Sequence, residues 1–189
     1  MYGLVNRVFA DLVVSNHGQD AWAAILRKTG VDSDPVVVMD VYDDDITFQL
    51  VEATSLHLGT EAHEVLEDFG KHWIGHLATE GWASLIALTG DNLLQFLTNL
   101  DRLHSTVSST MTAARMPTFK VRETTETTIK LDYMSTRKGL APMVTGLLIG
   151  LSDHFDDQYS VQSVHSDESG DSAHHTFLLT KLPTLASAP

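Results

Sequence analysis

The chain has 189 residues, no cysteine and a formal net charge of -13 at pH 7. Nucleic acids and anionic membranes bind basic surfaces, so this charge argues against either partner. Without cysteine, disulfides and thiolate metal ligands are excluded. The content of 43% hydrophobic and 20% charged residues is typical of a globular protein. The N-terminus has no signal-peptide pattern and no apolar run could span a bilayer, so we predict a cytoplasmic protein.

The first half of the sequence is predicted to be helical. Apolar residues recur every three or four positions within segments 5–13, 21–26, 46–58, 61–77 and 91–111. The acidic cluster Asp43, Asp44 and Asp45 precedes the third segment. Because negative charge suits a helix N-terminus, we interpret this cluster as a cap and a solvated turn.

The second half changes to strands around one helix. Segments 118–123 and 127–133 are rich in Thr and β-branched residues, and a second pair of strands is expected at 161–165 and 176–182. Between them, residues 140–155 favour a buried helix.

This order predicts a mixed α/β (α+β) fold, in which a helical N-terminal subdomain packs on a C-terminal subdomain with a small antiparallel sheet. We expect a single domain over residues 1–183. Residues 1–60 would form the helical subdomain, and residues 61–183 would contribute a further helix and the sheet. Residues 184–189 would form a flexible tail.

His104 occupies the apolar face of the predicted helix at residues 91–111. Leu97, Leu100 and Val107 lie three or four residues from one another or from His104 on the same stripe. A histidine in this position is either a core residue bonded to a backbone carbonyl or a ligand aimed at a metal in a dry pocket. Taken alone, the pattern favours the core histidine.

A group of anion-binding side chains follows at the end of the second predicted strand. Tyr133, Ser135 and Arg137 alternate along an extended segment, so they share one side of the chain. Two hydroxyl groups and a guanidinium can together bind a carboxylate, and no acidic residue lies within three positions of Arg137. With His104 as a metal ligand, this set suits a planar cofactor with carboxylates, such as heme.

Three stretches of the sequence resemble the heme-nitric oxide/oxygen binding (H-NOX) domains, which are relatives of the heme domain of soluble guanylate cyclase. These stretches are the opening Met-Tyr-Gly-Leu-Val-Asn, the segment Leu100 to His104, and the segment Tyr133 to Leu140. The resemblance is greatest to stand-alone bacterial members of the cyanobacterial type. It implies heme b bound between the two subdomains.

The resemblance also implies roles for individual residues. His104 would be the proximal iron ligand, and Tyr133, Ser135 and Arg137 would hold the heme propionates. Pro117 would press on the heme and distort it.

On the opposite side of the heme, oxygen-binding members carry a tyrosine whose hydroxyl donates to the bound gas. The matching position in this chain is Pro142, which has no donor. By the same resemblance, the other distal-pocket residues are Val5, Phe9, Trp73, Leu77, Met143 and Gly146. Since O₂ needs a donor to stay bound and NO does not, a pocket of this kind would favour NO and CO.

The sequence therefore predicts a heme-based gas sensor for signal transduction. It would bind NO and CO at ferrous heme, discriminate against O₂ and signal to a separate protein, such as a histidine kinase or a cyclic-di-GMP enzyme. One alternative is a cofactor-free regulatory or interaction domain. A heme enzyme is a further alternative, but the chain has no HExxH or GxSxG motif and no acid–base pair near His104, so we predict that it is not an enzyme.

Overall fold

A computed structural model describes residues 1–31, 37–79 and 82–183. The tail predicted at residues 184–189 lies outside the described residues. The helices are α1 (Gly3–His17), α2 (Gln19–Thr29), α3 (Asp44–Leu58), α4 (Ala62–Thr79), α5 (Ala83–Thr89), α6 (Leu93–Thr110) and α7 (Ala141–His154). The strands are β1 (Thr118–Thr124), β2 (Thr128–Ser135), β3 (Tyr159–Asp167) and β4 (Ala173–Lys181).

The four strands form one antiparallel sheet in the order β1-β2-β4-β3. Alternation along β2 directs Ile129, Leu131 and Tyr133 into the core, and each of them is at most 2% exposed. This arrangement confirms the predicted α+β fold with a small antiparallel sheet.

Helix α5 was not predicted from the sequence. Its seven residues are too few to establish a helical period, and the preceding Trp82 and the following Gly90 gave no capping signal. None of the helices in the described part of the chain is long and apolar enough to cross a membrane.

Glycines allow α4 and α7 to pack backbone to backbone. A Cβ atom at Gly146 would lie 1.9 Å from the carbonyl oxygen of Glu67, and one at Gly70 would lie 2.1 Å from the carbonyl oxygen of Met143. Only glycine fits at such distances, so this pair fixes which face of α7 meets α4.

The core consists of two clusters that meet at α4. One cluster contains Val65 and Phe69 of α4 with residues of α1, α2 and α3, whereas the other contains Ile74 of α4 with residues of α5, α6, α7 and the sheet. Trp73 packs against both. Both clusters therefore contain residues of α4, which begins just beyond the subdomain boundary predicted near residue 60. The division of the chain into two subdomains at that boundary stays a prediction.

Candidate functional site

A largely apolar cavity of about 310 Å³ lies between the two core clusters. Its walls come from the start of α1, from α4 to α7 and from the inner face of β1 and β2. Eight of the residues predicted for the site line it: Val5, Trp73, Leu77, His104, Pro117, Tyr133, Arg137 and Met143. This volume and this apolar wall are typical of a cofactor site.

His104 projects from α6 into the cavity wall. Its Nδ1 lies 3.1 Å from the carbonyl oxygen of Pro117. A carbonyl only accepts, so Nδ1 carries the proton and Nε2 keeps its lone pair. Burial lowers the pKa of His104, and the hydrogen bond to Pro117 only partly opposes this effect. The imidazole is therefore held in the neutral tautomer that binds metals through Nε2.

A second hydrogen bond joins α6 to the same segment of chain. The backbone N–H of Phe119 donates to Oδ1 of Asp101 at 2.8 Å, and the rings of His104 and Phe119 lie 5.8 Å apart. Pro117 and Phe119 both line the cavity. The helix that carries His104 is thus tied at two points to the start of β1.

Tyr133 lies near the end of the inner strand β2 and lines the cavity from there. It is 2% exposed, and burial raises the pKa of its phenol despite a hydrogen bond with Ser135 and the nearby charge of Arg137. The phenol therefore keeps its proton at neutral pH and remains a hydrogen-bond donor. Ser135, unlike Tyr133, does not line the cavity. Its Oγ accepts the backbone N–H of Arg137 at 2.9 Å, which bends the chain after β2.

Arg137 pairs with an acidic residue from a distant part of the chain. Its Nε donates to Oδ2 of Asp44 at 2.7 Å, and its Nη2 donates to Oδ1 at 3.2 Å. The N-terminal ammonium of Met1 also donates to Oδ1 of Asp44, at 2.6 Å. Burial raises the pKa of Asp44, but the bonds from Arg137 and Met1 outweigh this effect, so the pKa is lower than usual.

The remaining guanidinium donors decide whether Arg137 can also bind a cofactor carboxylate. Its Nη1 donates to the carbonyl of Arg115 at 2.6 Å. Three of the five N–H groups of the guanidinium are thus used. The other two, one on each Nη, have no partner among the described residues, which matches the two oxygens of a carboxylate.

Four predicted site residues lie outside the cavity lining: Phe9, Ser135, Pro142 and Gly146. Phe9 is fully buried among Trp22 and Phe69 in the first core cluster. Gly146 faces the backbone of Glu67 in α4. Pro142 occupies the first turn of α7, and its neighbour Met143 faces the cavity instead. Of these two neighbouring predicted residues, Met143 thus lines the cavity and Pro142 does not.

Several cavity residues were not predicted. Tyr2, Trp82 and Leu147 line it, and so do residues of the loop between α6 and β1. The hydroxyl of Tyr2 accepts the backbone N–H of Ala113 in that loop at 3.1 Å. Leu147 lies one turn beyond Met143 on α7, so the helical period from Met143 would have revealed it.

These features together suit an iron porphyrin. The cavity offers an apolar space for a flat macrocycle and a neutral imidazole with Nε2 available. Tyr133 and Arg137 offer hydrogen-bond donors for the carboxylates of such a cofactor. In the described part of the chain, no group of three or more His, Asp or Glu side chains could hold a metal ion by itself. In a heme bound here, His104 would be the protein ligand of the iron.

The chain is similar in sequence to known proteins. The family model described as Haem-NO-binding matches residues 2–163. Soluble guanylate cyclase gcy-32 of Caenorhabditis elegans is 32% identical over 151 residues, which are 78% of this chain and 22% of that protein. Guanylate cyclase soluble subunit beta-2 of Rattus norvegicus is 28% identical over 122 residues, 62% of this chain and 18% of that protein. The chain thus spans about a fifth of the length of these curated relatives.

Solved structures share the fold over the whole chain. The Fe(II) unliganded H-NOX protein from K. algicida has a TM-score of 0.84 at 21% identity, with 100% of both chains covered. A singly substituted variant of the same protein also has a TM-score of 0.84, at 22% identity and 98% coverage of both chains.

Proposed function

The chain belongs to the Haem-NO-binding family, and on that premise we propose that it senses NO and CO at ferrous heme, discriminates against O₂ and signals to a partner protein. Heme b is the cofactor of this family, and the domain is a gas sensor rather than an enzyme. The bound heme would supply a ferrous iron with an open position for a diatomic gas.

The observation that carries the proposal is the contact between Nδ1 of His104 and the carbonyl oxygen of Pro117 at the cavity wall. The Nε2 atom of the same ring has no partner among the described residues. A core histidine without a ligand would also be stabilised by a hydrogen bond to a backbone carbonyl. That role does not explain why His104 lines the same cavity as Tyr133 and Arg137. We therefore assign the iron to His104 and the heme propionates to Tyr133 and Arg137. Ser135 would act on them through the backbone of Arg137.

Ligand discrimination would follow from the few hydrogen-bond donors in the cavity wall formed by α4 and α7. Met143, which faces the cavity from α7, has a thioether and no N–H or O–H group, so it cannot stabilise a gas that carries negative charge. The indole of Trp73 is the donor in the α4 wall. The hydroxyl of Tyr2 accepts the backbone N–H of Ala113, a bond that fixes it beside the loop that follows α6. We propose that this wall favours NO and CO over O₂.

The experiment that tests the proposal is an absorption spectrum of the purified, dithionite-reduced protein under argon, air, CO and NO. A Soret band that shifts with NO and CO but not with air supports the sensor and its selectivity. A lasting shift in air would overturn the selectivity and leave the heme assignment intact. If no Soret band forms after addition of heme, the assignment of His104 fails as well.

A signal to a partner would start at His104 in α6. Asp101 and His104 tie this helix to the start of β1, so a change at His104 would be transmitted to both elements at once. The curated relatives are soluble guanylate cyclases, in which the matched part is about a fifth of the chain. We propose that the output here is a signalling enzyme, a histidine kinase or a cyclic-di-GMP enzyme.

A further inference from the structure

Glu168 lies in the turn between β3 and β4 and contacts two residues that adjoin the proposed heme site. Its Oε1 accepts the backbone N–H of Gly139 at 2.9 Å and the Nε2–H of His175 at 3.0 Å. Gly139 belongs to the loop that carries Arg137, and His175 is the partner of Tyr133 across the sheet. One carboxylate oxygen therefore contacts the neighbours of Tyr133 and Arg137, the two side chains that we assign to the heme propionates.

The first contact fixes the loop between β2 and α7. Gly139 has a φ of 76°, a left-handed conformation that favours glycine, and its N–H points to Glu168. Two residues earlier, Asp44 holds the guanidinium of Arg137. The loop is thus bound by one acidic residue through its backbone and by another through its side chain.

The second contact orients the ring behind Tyr133. His175 is 2% exposed, and its ring centroid lies 5.9 Å from that of Tyr133 at an interplanar angle of 31°. Its buried Nδ1 has no hydrogen-bond partner among the described residues. The bond to Glu168 is then the one polar contact that sets the rotation of this ring in the part of the chain that the structure describes. Because a carboxylate only accepts, the proton of His175 lies on Nε2.

We propose that Glu168 is a positioning residue for the heme carboxylates, which sets the pose of Arg137 through Gly139 and that of Tyr133 through His175. This inference rests on the proposed heme site and assigns a role to a residue of the opposite hairpin. Glu168 does not line the cavity, so its effect on heme retention would be indirect. Its charge also adds to the burial that raises the pKa of Tyr133, which keeps the phenol a donor.

The test measures how fast the heme-loaded protein loses heme to an excess of heme-free myoglobin. Glu168→Ala removes both hydrogen bonds, and we expect heme loss to become about tenfold faster. Glu168→Gln keeps an acceptor oxygen in place and should stay within about threefold of the unmodified protein. Asp171→Ala is the matched control, because it removes one negative charge from an exposed residue of the same turn.

A spectroscopic measurement separates positioning from a general loss of stability. The propionate bending bands in the resonance Raman spectrum should shift in Glu168→Ala and keep their frequencies in Glu168→Gln and Asp171→Ala. If Glu168→Ala does not fold, Glu168→Asp tests the same contacts, because a side chain shorter by one methylene draws the carboxylate away from Gly139.

Each outcome decides the inference. Unchanged heme loss in Glu168→Ala or Glu168→Asp overturns it, and so does equal acceleration in Asp171→Ala, which would indicate an effect of charge alone. If the unmodified protein takes up no heme, the proposed function fails, and the role of Glu168 fails with it. If it takes up heme and the Glu168 variants behave like the unmodified protein, only the positioning role is wrong.

Discussion

Arg137 binds Asp44 with two hydrogen bonds, across a sequence separation of 93 residues. The side chains are 15% and 29% exposed, so the pair is largely shielded from solvent. Asp44 begins α3 and Arg137 follows β2, and the bond therefore joins the helical part of the chain to the sheet beside the cavity. In this arrangement Asp44 restrains the same guanidinium that we assign to a heme propionate.

Asp44→Asn should destabilise the protein and loosen Arg137. The amide still offers one acceptor oxygen but no charge, and hydrogen bonds between charged groups contribute about 1.5–3 kcal/mol. We expect a loss of about 1–2 kcal/mol in the free energy of unfolding, measured by urea titration at pH 7. Asp43→Asn is the control, because the side chain of Asp43 makes no capping hydrogen bond. An equal loss in both variants would contradict the role given to the pair.

The same pair predicts a pH dependence. The pKa of Asp44 is lower in the folded protein than in the unfolded chain, so the folded state binds fewer protons there. Its contribution to stability is present above the ordinary Asp pKa of about 3.9 and is lost as the pH falls through the lowered value. Between pH 5 and pH 3, the stability of the unmodified protein should therefore fall more steeply than that of Asp44→Asn. Parallel curves would count against this reading.

A sequence pattern reveals contacts between residues that are close in the chain, but not contacts that form only when distant segments come together. His104 could be placed because helical periodicity is local, and Tyr133 because strand alternation is local. Asp44 was interpreted as part of a helix cap, because its partner Arg137 is close only after folding. Pro142 was placed by the family resemblance, and a shift of one position on a helix turns a side chain by about 100°. The resemblance named both Pro142 and Met143, and only Met143 is among the residues that line the cavity.

His104→Gly should yield protein that retains heme only when imidazole is supplied. Glycine removes the proposed iron ligand and leaves a space that free imidazole can fill, while the rest of the cavity wall stays apolar. The measurement is the Soret absorbance after gel filtration, with and without imidazole in the buffer. His57→Gly, at an exposed position of α3, is the control for glycine in a helix. Full heme content in His104→Gly without imidazole would show that His104 is not the iron ligand.

A tyrosine installed at Met143 tests the proposed basis of gas discrimination. Met143→Tyr brings a hydroxyl donor to the cavity wall, so we expect a spectral change in air that lasts longer than in the unmodified protein. Met143→Phe has the same ring without the hydroxyl and should remain insensitive to air. Pro142→Tyr should also remain insensitive, since residue 142 does not line the cavity. A response to air in Pro142→Tyr but not in Met143→Tyr would show that the wall is assigned to the wrong residue.

The contact between α4 and α7 should tolerate no side chain at Gly146. An alanine Cβ would lie 1.9 Å from the carbonyl oxygen of Glu67, and a backbone atom on a packed helix cannot move aside as a flexible side chain does. Separating the helices would cost about 1–3 kcal/mol and would also displace Met143 and Leu147, which line the cavity from the same helix.

Gly75→Ala is the matched control for Gly146→Ala. An added Cβ at this exposed position of α4 meets nothing within 4 Å. Because alanine is a better helix former than glycine, the control should gain about 0.5–1 kcal/mol. Thermal unfolding of the heme-free proteins measures both effects, and heme loss measures the consequence for the site. We expect Gly146→Ala to melt earlier and lose heme faster, and Gly75→Ala to melt later with unchanged heme loss. If the two variants shift in the same direction, the close approach of α4 and α7 does not shape the cavity.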